Sequence, residues 1–275
     1  GKYKTNSKGK KEEIMRRLLL LTALFSMLYV SSAHAMVKMS RHNLSSTQPL
    51  GTIGTIRTAD TSEVCVFCHT PHGGTTDGPL WNRALATAGA YTPYTSSTLD
   101  TTVGQPDGIS LACLSCHDGT IALDALRNAT GSGNFNPAAP SQGWTFVGLG
   151  TSTDNSLPED GRITNLTQNL ADDHPISMPY PTAVQDPKFN LTNGSSATAR
   201  WFEETANTRA DDNEVKLYLT GTEYKVQCAS CHNPHGTTAA TGTPANQLAP
   251  NNVDYATFLR KSNASSALCT TCHIK

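Results

Sequence analysis

Cys65-Val66-Phe67-Cys68-His69-Thr70-Pro71-His72 sets two thiols three positions apart, an imidazole directly after the second, and another imidazole three positions on, beyond a proline. The pattern recurs as Cys228-Ala229-Ser230-Cys231-His232-Asn233-Pro234-His235. Two shorter relatives, Cys113-Leu114-Ser115-Cys116-His117 and Cys269-Thr270-Thr271-Cys272-His273, complete the set. These four units take up all 8 cysteines of the 275-residue chain. C-x-x-C-H is the spacing of covalent haem c attachment, in which both thiols add to the vinyl groups and the adjacent histidine ligates the iron. Cys65, Cys68, Cys113, Cys116, Cys228, Cys231, Cys269 and Cys272 are therefore expected to bind four haem c groups, with His69, His117, His232 and His273 as proximal iron ligands.

The histidine inventory extends this reading. Of the 9 histidines, His34 falls in an N-terminal leader and four are proximal, which leaves His42, His72, His174 and His235. That is one second imidazole for each iron, so every iron is expected to carry two histidines. His69 and His72 are separated only by Thr70 and the stiff Pro71, as are His232 and His235 by Asn233 and Pro234. Ligands so close cannot reach opposite faces of one ring, so the second of each pair should serve a different iron from the first. Asp172 and Asp173 are read either as residues that orient His174 or as solvated loop acids.

The rest of the chain fits this scheme. Met15-Arg16-Arg17, the apolar run Leu18 to Val30 and Ala33-His34-Ala35 read as upstream residues and a signal peptide over 1–35, too short in its apolar part to span a membrane. An exported protein is expected, extracellular or at the cell surface, with the periplasm as the alternative. Residues 36–275 read as a single domain built of two pseudo-repeats, about 36–130 and 165–275. Each repeat opens with an upstream histidine, continues with C-x-x-C-H-x-P-H-G and closes with a bare C-x-x-C-H. Without the leader, 7 of the 21 basic and 2 of the 22 acidic residues are lost and the net charge is −6, which gives no footprint for nucleic acid. Leu, Ile, Val and Phe make up only about 17% of residues 36–275, a thin core for that length, so bound cofactors are expected to supply the missing apolar mass. The thiol pairs also invite zinc, but a histidine after every pair and the export signal favour haem.

Short helices are expected at Ser62 through the first motif, over Leu80 to Ala88, over Ser110 to Cys116, and over Tyr255 to Lys261. A β-hairpin is expected from 214–219 and 224–226 around Thr220-Gly221-Thr222. Arg41-His42-Asn43-Leu44-Ser45-Ser46, the first motif, Pro79-Leu80-Trp81-Asn82-Arg83 and Cys113 to Thr120 together resemble the doubled-CXXCH multihaem c-type cytochromes of metal-reducing bacteria. At this size and with four motifs the chain is similar to the OmcE-type tetrahaem cytochromes of extracellular nanowires. That resemblance implies a mostly coil fold with a few short helices and one β-hairpin, wrapped around a chain of stacked haems. It also implies bis-histidine irons, a homopolymer that passes electrons to other redox proteins or extracellular acceptors, and an axial ligand lent to a neighbouring copy, with His42 as the candidate. The expectation is electron transfer without catalysis. The alternatives are a soluble periplasmic shuttle and a multihaem oxyanion reductase.

Overall fold

Alternation of apolar and polar side chains in Lys216-Leu217-Tyr218-Leu219-Thr220, followed by Gly221 at φ 62°, produces the hairpin that organises the C-terminal half. The computed structural model describes residues 37–48, 56–87, 89–131, 133–160, 164–202, 214–236 and 258–274. The expected leader lies outside these residues. Val37–Lys275 forms one compact unit.

The regular elements are β1 (Arg57–Thr58), α1 (Gly108–His117), β2 (Phe146–Val147), β3 (Met178–Pro179), β4 (Gly194–Ser195), β5 (Ala199–Trp201), β6 (Lys216–Thr220), β7 (Glu223–Val226), α2 (Cys228–Cys231) and α3 (Ala267–Cys272). β1 and β2 form an antiparallel pair, and the other strands form one antiparallel sheet in the order β3-β7-β6-β5-β4. The regular structure is thus mainly sheet, and the coil-dominated wrapping expected from the sequence is wrong. The hairpin β6–β7 is present, but it is the centre of a five-stranded sheet rather than an isolated element. The added strands are two or three residues long and contain Pro179 and Gly194, residues that carry no strand signal. Proline is tolerated because β3 is an edge strand.

Three of the four expected helices need correction. Only α1 forms as expected. The first motif is a turn opened by Thr61, whose hydroxyl accepts from the Glu63 N–H at 3.0 Å. In place of a helix at 80–88, Leu80 adopts φ 53° and Trp81 bridges to both His69 and Thr75. The expected helix at 255–261 lies partly outside the described residues. At its described end Phe258 has φ 64° and Leu259 bridges to His232.

Among the described residues, four small apolar clusters replace a single large core, and each includes or borders residues of a cysteine motif. Val66 and Phe67 pack with Leu126, and Leu114 packs with Tyr91 and Leu170. Cys116 borders Leu123, Leu149 and Leu157, while Leu268 and Cys272 border Phe202, Val215, Leu217 and Val226 on one face of the large sheet. The motifs are built into the packing rather than hung from it.

Candidate metal and cofactor centres

Each C-x-x-C-H unit presents its histidine at the end of a turn or short helix. α1 ends at His117, α2 is followed by His232, and α3 is followed by His273. Backbone carbonyls then take the Nδ1 proton. His69 donates to Pro79 O at 2.6 Å and His117 to Thr164 O at 2.7 Å. Two of the other histidines do the same: His42 donates to Pro234 O at 2.9 Å and His174 to Pro175 O at 3.0 Å. Holding the proton on Nδ1 leaves Nε2 as the free donor, the tautomer that a metal takes.

The imidazoles then meet in pairs, each with one motif histidine and one from outside a motif. His42 and His117 stand 6.2 Å apart, centre to centre, at 69°. His174 and His273 stand 6.5 Å apart at 66°. His69 and His235 stand 5.9 Å apart at 21°. Metal–imidazole bonds of about 2 Å, with each ring centre about 1 Å behind its nitrogen, place trans imidazoles roughly 6 Å apart. The three separations match one six-coordinate metal between each pair.

The first two pairs occupy equivalent places in the two pseudo-repeats, upstream histidine against bare-motif histidine. The third crosses between the repeats: His235 faces His69 rather than its own neighbour His232. The halves therefore meet at this histidine pair, although each holds enough histidines for itself. His42 lies against His117 of its own chain and stacks on Phe258 at 4.2 Å and 14°. His72 is exposed on the first motif.

Burial favours the neutral form at His42, His117 and His273 and at several of the thiols. Burial, and next the facing His117, push the His42 pKa down to about 4 against the raising effect of its bond to Pro234. Burial also lowers His117 and His273, the latter with help from His174. Burial pushes the Cys68 and Cys272 thiols up to about 12 and Cys231 to about 11. Redox-active C-x-x-C motifs lower such pKa values, the reverse of the shifts at Cys68, Cys231 and Cys272. Cys113 and Cys228 hydrogen-bond one another, which lowers Cys228 and raises Cys113. All eight cysteines are free thiols.

The donor set points to the kind of group that fits. Two imidazoles leave an octahedral iron four ligands short, and among the described residues no three His, Cys, Asp or Glu converge as a metal cage. A macrocycle that brings its own four nitrogens would complete such a site. The Trp81 indole stands edge-on to His69 at 6.0 Å and 87°, with its buried Nε1 lacking a partner among the described residues. That N–H is available to an acceptor on a group seated at His69.

Sequence reasoning missed the two residues that brace the first two motifs. Asn82 and Arg83 are both fully buried. The Asn82 amide donates to Val66 O at 2.7 Å inside the first motif and to Asn128 O at 2.9 Å. The Arg83 guanidinium donates to the carbonyls of Ser115, Ala122 and Leu123 at 3.0, 2.7 and 2.7 Å, locking the second motif. The signal was a charged residue two positions after Trp81 in a chain with little core to bury it. Gly73 and Gly236, which follow the two H-x-P-H segments, have φ 73° and 91°. The backbone leaves both segments through a left-handed turn that glycine adopts without strain.

No known family model matches the chain, and no curated protein matches it.

Proposed function

We propose that the chain carries electrons through four covalently attached c-type haems, each iron held between two histidines. The observation that carries this reading is the set of three facing imidazole pairs, 5.9 to 6.5 Å apart, each containing one C-x-x-C-H histidine. Haem supplies the redox chemistry, and the polypeptide sets the axial ligands, their orientation and the burial. His232 and, by the relation reciprocal to His69 and His235, His72 would hold the fourth iron. With both axial positions filled by imidazole, no iron offers the open site that an oxyanion reductase needs. Transfer between haems is thus favoured over catalysis.

The H-x-P-H segments couple the halves. Segment 69–72 supplies one ligand to each of two irons, and segment 232–235 supplies the other two, so these irons are held close by short proline-stiffened chain. Among the described residues no helix is long and apolar enough to cross a membrane. We propose export of the chain through its leader and assembly of copies into an extracellular filament. The resemblance noted above supports that finer reading.

The test is a haem count and a spin state. Pyridine haemochrome analysis and intact mass of protein matured with haem attachment should give four haems per chain, all low-spin in the ferric visible spectrum. His72→Ala should turn one quarter of the iron high-spin. Fewer than four haems, or a large high-spin fraction before mutation, overturns the reading. Electron micrographs of the secreted protein showing only monomer-sized particles at high concentration overturn the filament.

A further inference from the structure

We propose that the chain fixes its axial imidazoles in two opposed settings, near-parallel and near-perpendicular, and so builds two electronic classes of haem into one protein. The inference rests on the haem reading above and goes beyond it. His69 and His235 lie 21° from parallel. His42 with His117, and His174 with His273, cross at 69° and 66°. The two steep angles fall at equivalent places in the pseudo-repeats. The shallow one falls where the repeats meet.

Neighbouring groups hold the rings in these settings. The Nδ1 bonds of His69, His117, His42 and His174 to Pro79, Thr164, Pro234 and Pro175 fix one atom of each ring. Aromatic contacts fix the plane. Phe258 stacks on His42 at 14°, Trp81 meets His69 edge-on at 87°, and Phe189 tilts against His273 at 54° and 4.5 Å. Phe258 and Phe189 act as positioning residues, because each touches a ligand ring rather than iron.

The chemical consequence follows from orbital symmetry. An imidazole donates π density perpendicular to its own plane. Parallel rings donate into the same iron d orbital and split the d pair widely, giving a rhombic low-spin ferric signal. Crossed rings donate into both orbitals of the pair and leave them nearly degenerate, giving a strongly anisotropic signal with a large gmax.

Low-temperature EPR of the fully oxidised four-haem protein tests this directly. Both signal types should appear, and integrated intensity should assign at least two irons per chain to the large-gmax class and at least one to the rhombic class. His42→Ala should remove about one quarter of the low-spin intensity from the large-gmax class, and His235→Ala the same share from the rhombic class. Phe258→Leu leaves every ligand in place. It should keep all irons low-spin while lowering the gmax of one iron, which guards against a His42 variant that fails to fold. A single rhombic class for all four irons, depletion of the rhombic signal by His42→Ala, or a Phe258→Leu spectrum identical to the parent overturns the proposal. Fewer than four haems or high-spin iron in the parent protein instead overturns the haem reading, so the two failures are told apart.

Discussion

Arg83 donates to the backbone carbonyl of Ser115 across 3.0 Å, reaching from the loop after the first motif into the x-x segment of the second. Its guanidinium is fully buried, and its hydrogen bonds run to three carbonyls and to the Ser115 hydroxyl at 3.3 Å. A planar fork satisfies several carbonyls at once, which a lysine cannot do. Arg83→Met strands those acceptors in a dry site and should cost about 3–5 kcal/mol. Arg83→Lys should recover only part of it. The check is the denaturant midpoint of the purified protein. A change within about 0.5 kcal/mol in Arg83→Met would remove Arg83 from the bracing role.

The x-x positions of the four motifs are not equivalent. Phe67 is 1% exposed and meets Trp144 and Phe146 edge-on at 5.7 and 6.4 Å, and Leu114 is 0% exposed. The helix holding the fourth motif buries none of its residues. Phe67→Ala should therefore cost about 3–5 kcal/mol and Leu114→Ala about 2–5 kcal/mol. Thr270→Ala, which loses only local bonds from its hydroxyl to Ser266 and Ala267, should stay within about 1 kcal/mol. Equal losses at all three positions would contradict the embedding of the first two motifs.

What the sequence makes legible follows the range of the interaction. Helix α1 and the hairpin β6–β7 rest on local signals, a glycine-led run into Cys116-His117 and an alternating strand before Gly221. Strands β3, β4 and β5 exist because the hairpin offers them an edge, and Pro179 or Gly194 gives no local warning of that. Trp81 shows the reverse failure. Its neighbours favour helix, yet pairing with His69 and Thr75 holds the chain extended. Spacing counts the histidines but cannot say which face each other, because the pairing of His235 with His69 depends on how the halves pack. The Nδ1 acceptors are backbone carbonyls, which every residue possesses, so composition carries no trace of them.

The second and third motifs meet through Gln227. Its carbonyl accepts from the hydroxyls of Ser110 and, at 3.1 Å, Ser177, while its amide donates to Asp107 at 2.8 Å. Ser110 in turn accepts from the Cys228 N–H at 3.1 Å. Gln227 is 1% exposed, so Gln227→Leu orphans two hydroxyls and should cost about 2–3 kcal/mol. Lys225 pairs with the same Asp107 at 2.6 Å, but the side chains are 15% and 32% exposed. Solvent screening limits Lys225→Met to about 1 kcal/mol or less. Denaturant titration of both variants in low and high salt separates them, since only the lysine effect should fade with salt. A larger loss for Lys225→Met would reverse the ranking.

The four apolar clusters contain only three or four buried residues each, and a motif residue belongs to or borders every one. A core divided in this way offers little apolar burial against the backbone entropy of the described chain. If haem supplies the rest, attachment and folding are one event, as metal binding is in domains that unfold without their metal. A variant with all eight cysteines changed to alanine, or the parent chain produced without haem attachment, should lack a cooperative thermal transition. It should be digested by protease under conditions where the four-haem protein survives. Fluorescence of the 3 tryptophans gives an independent reading: Trp81, Trp144 and Trp201 should emit as solvent-exposed indoles in the haem-free chain. A haem-free chain with a cooperative transition and protected tryptophans would show that the sheet and the small clusters suffice, and would separate the fold from its cofactors.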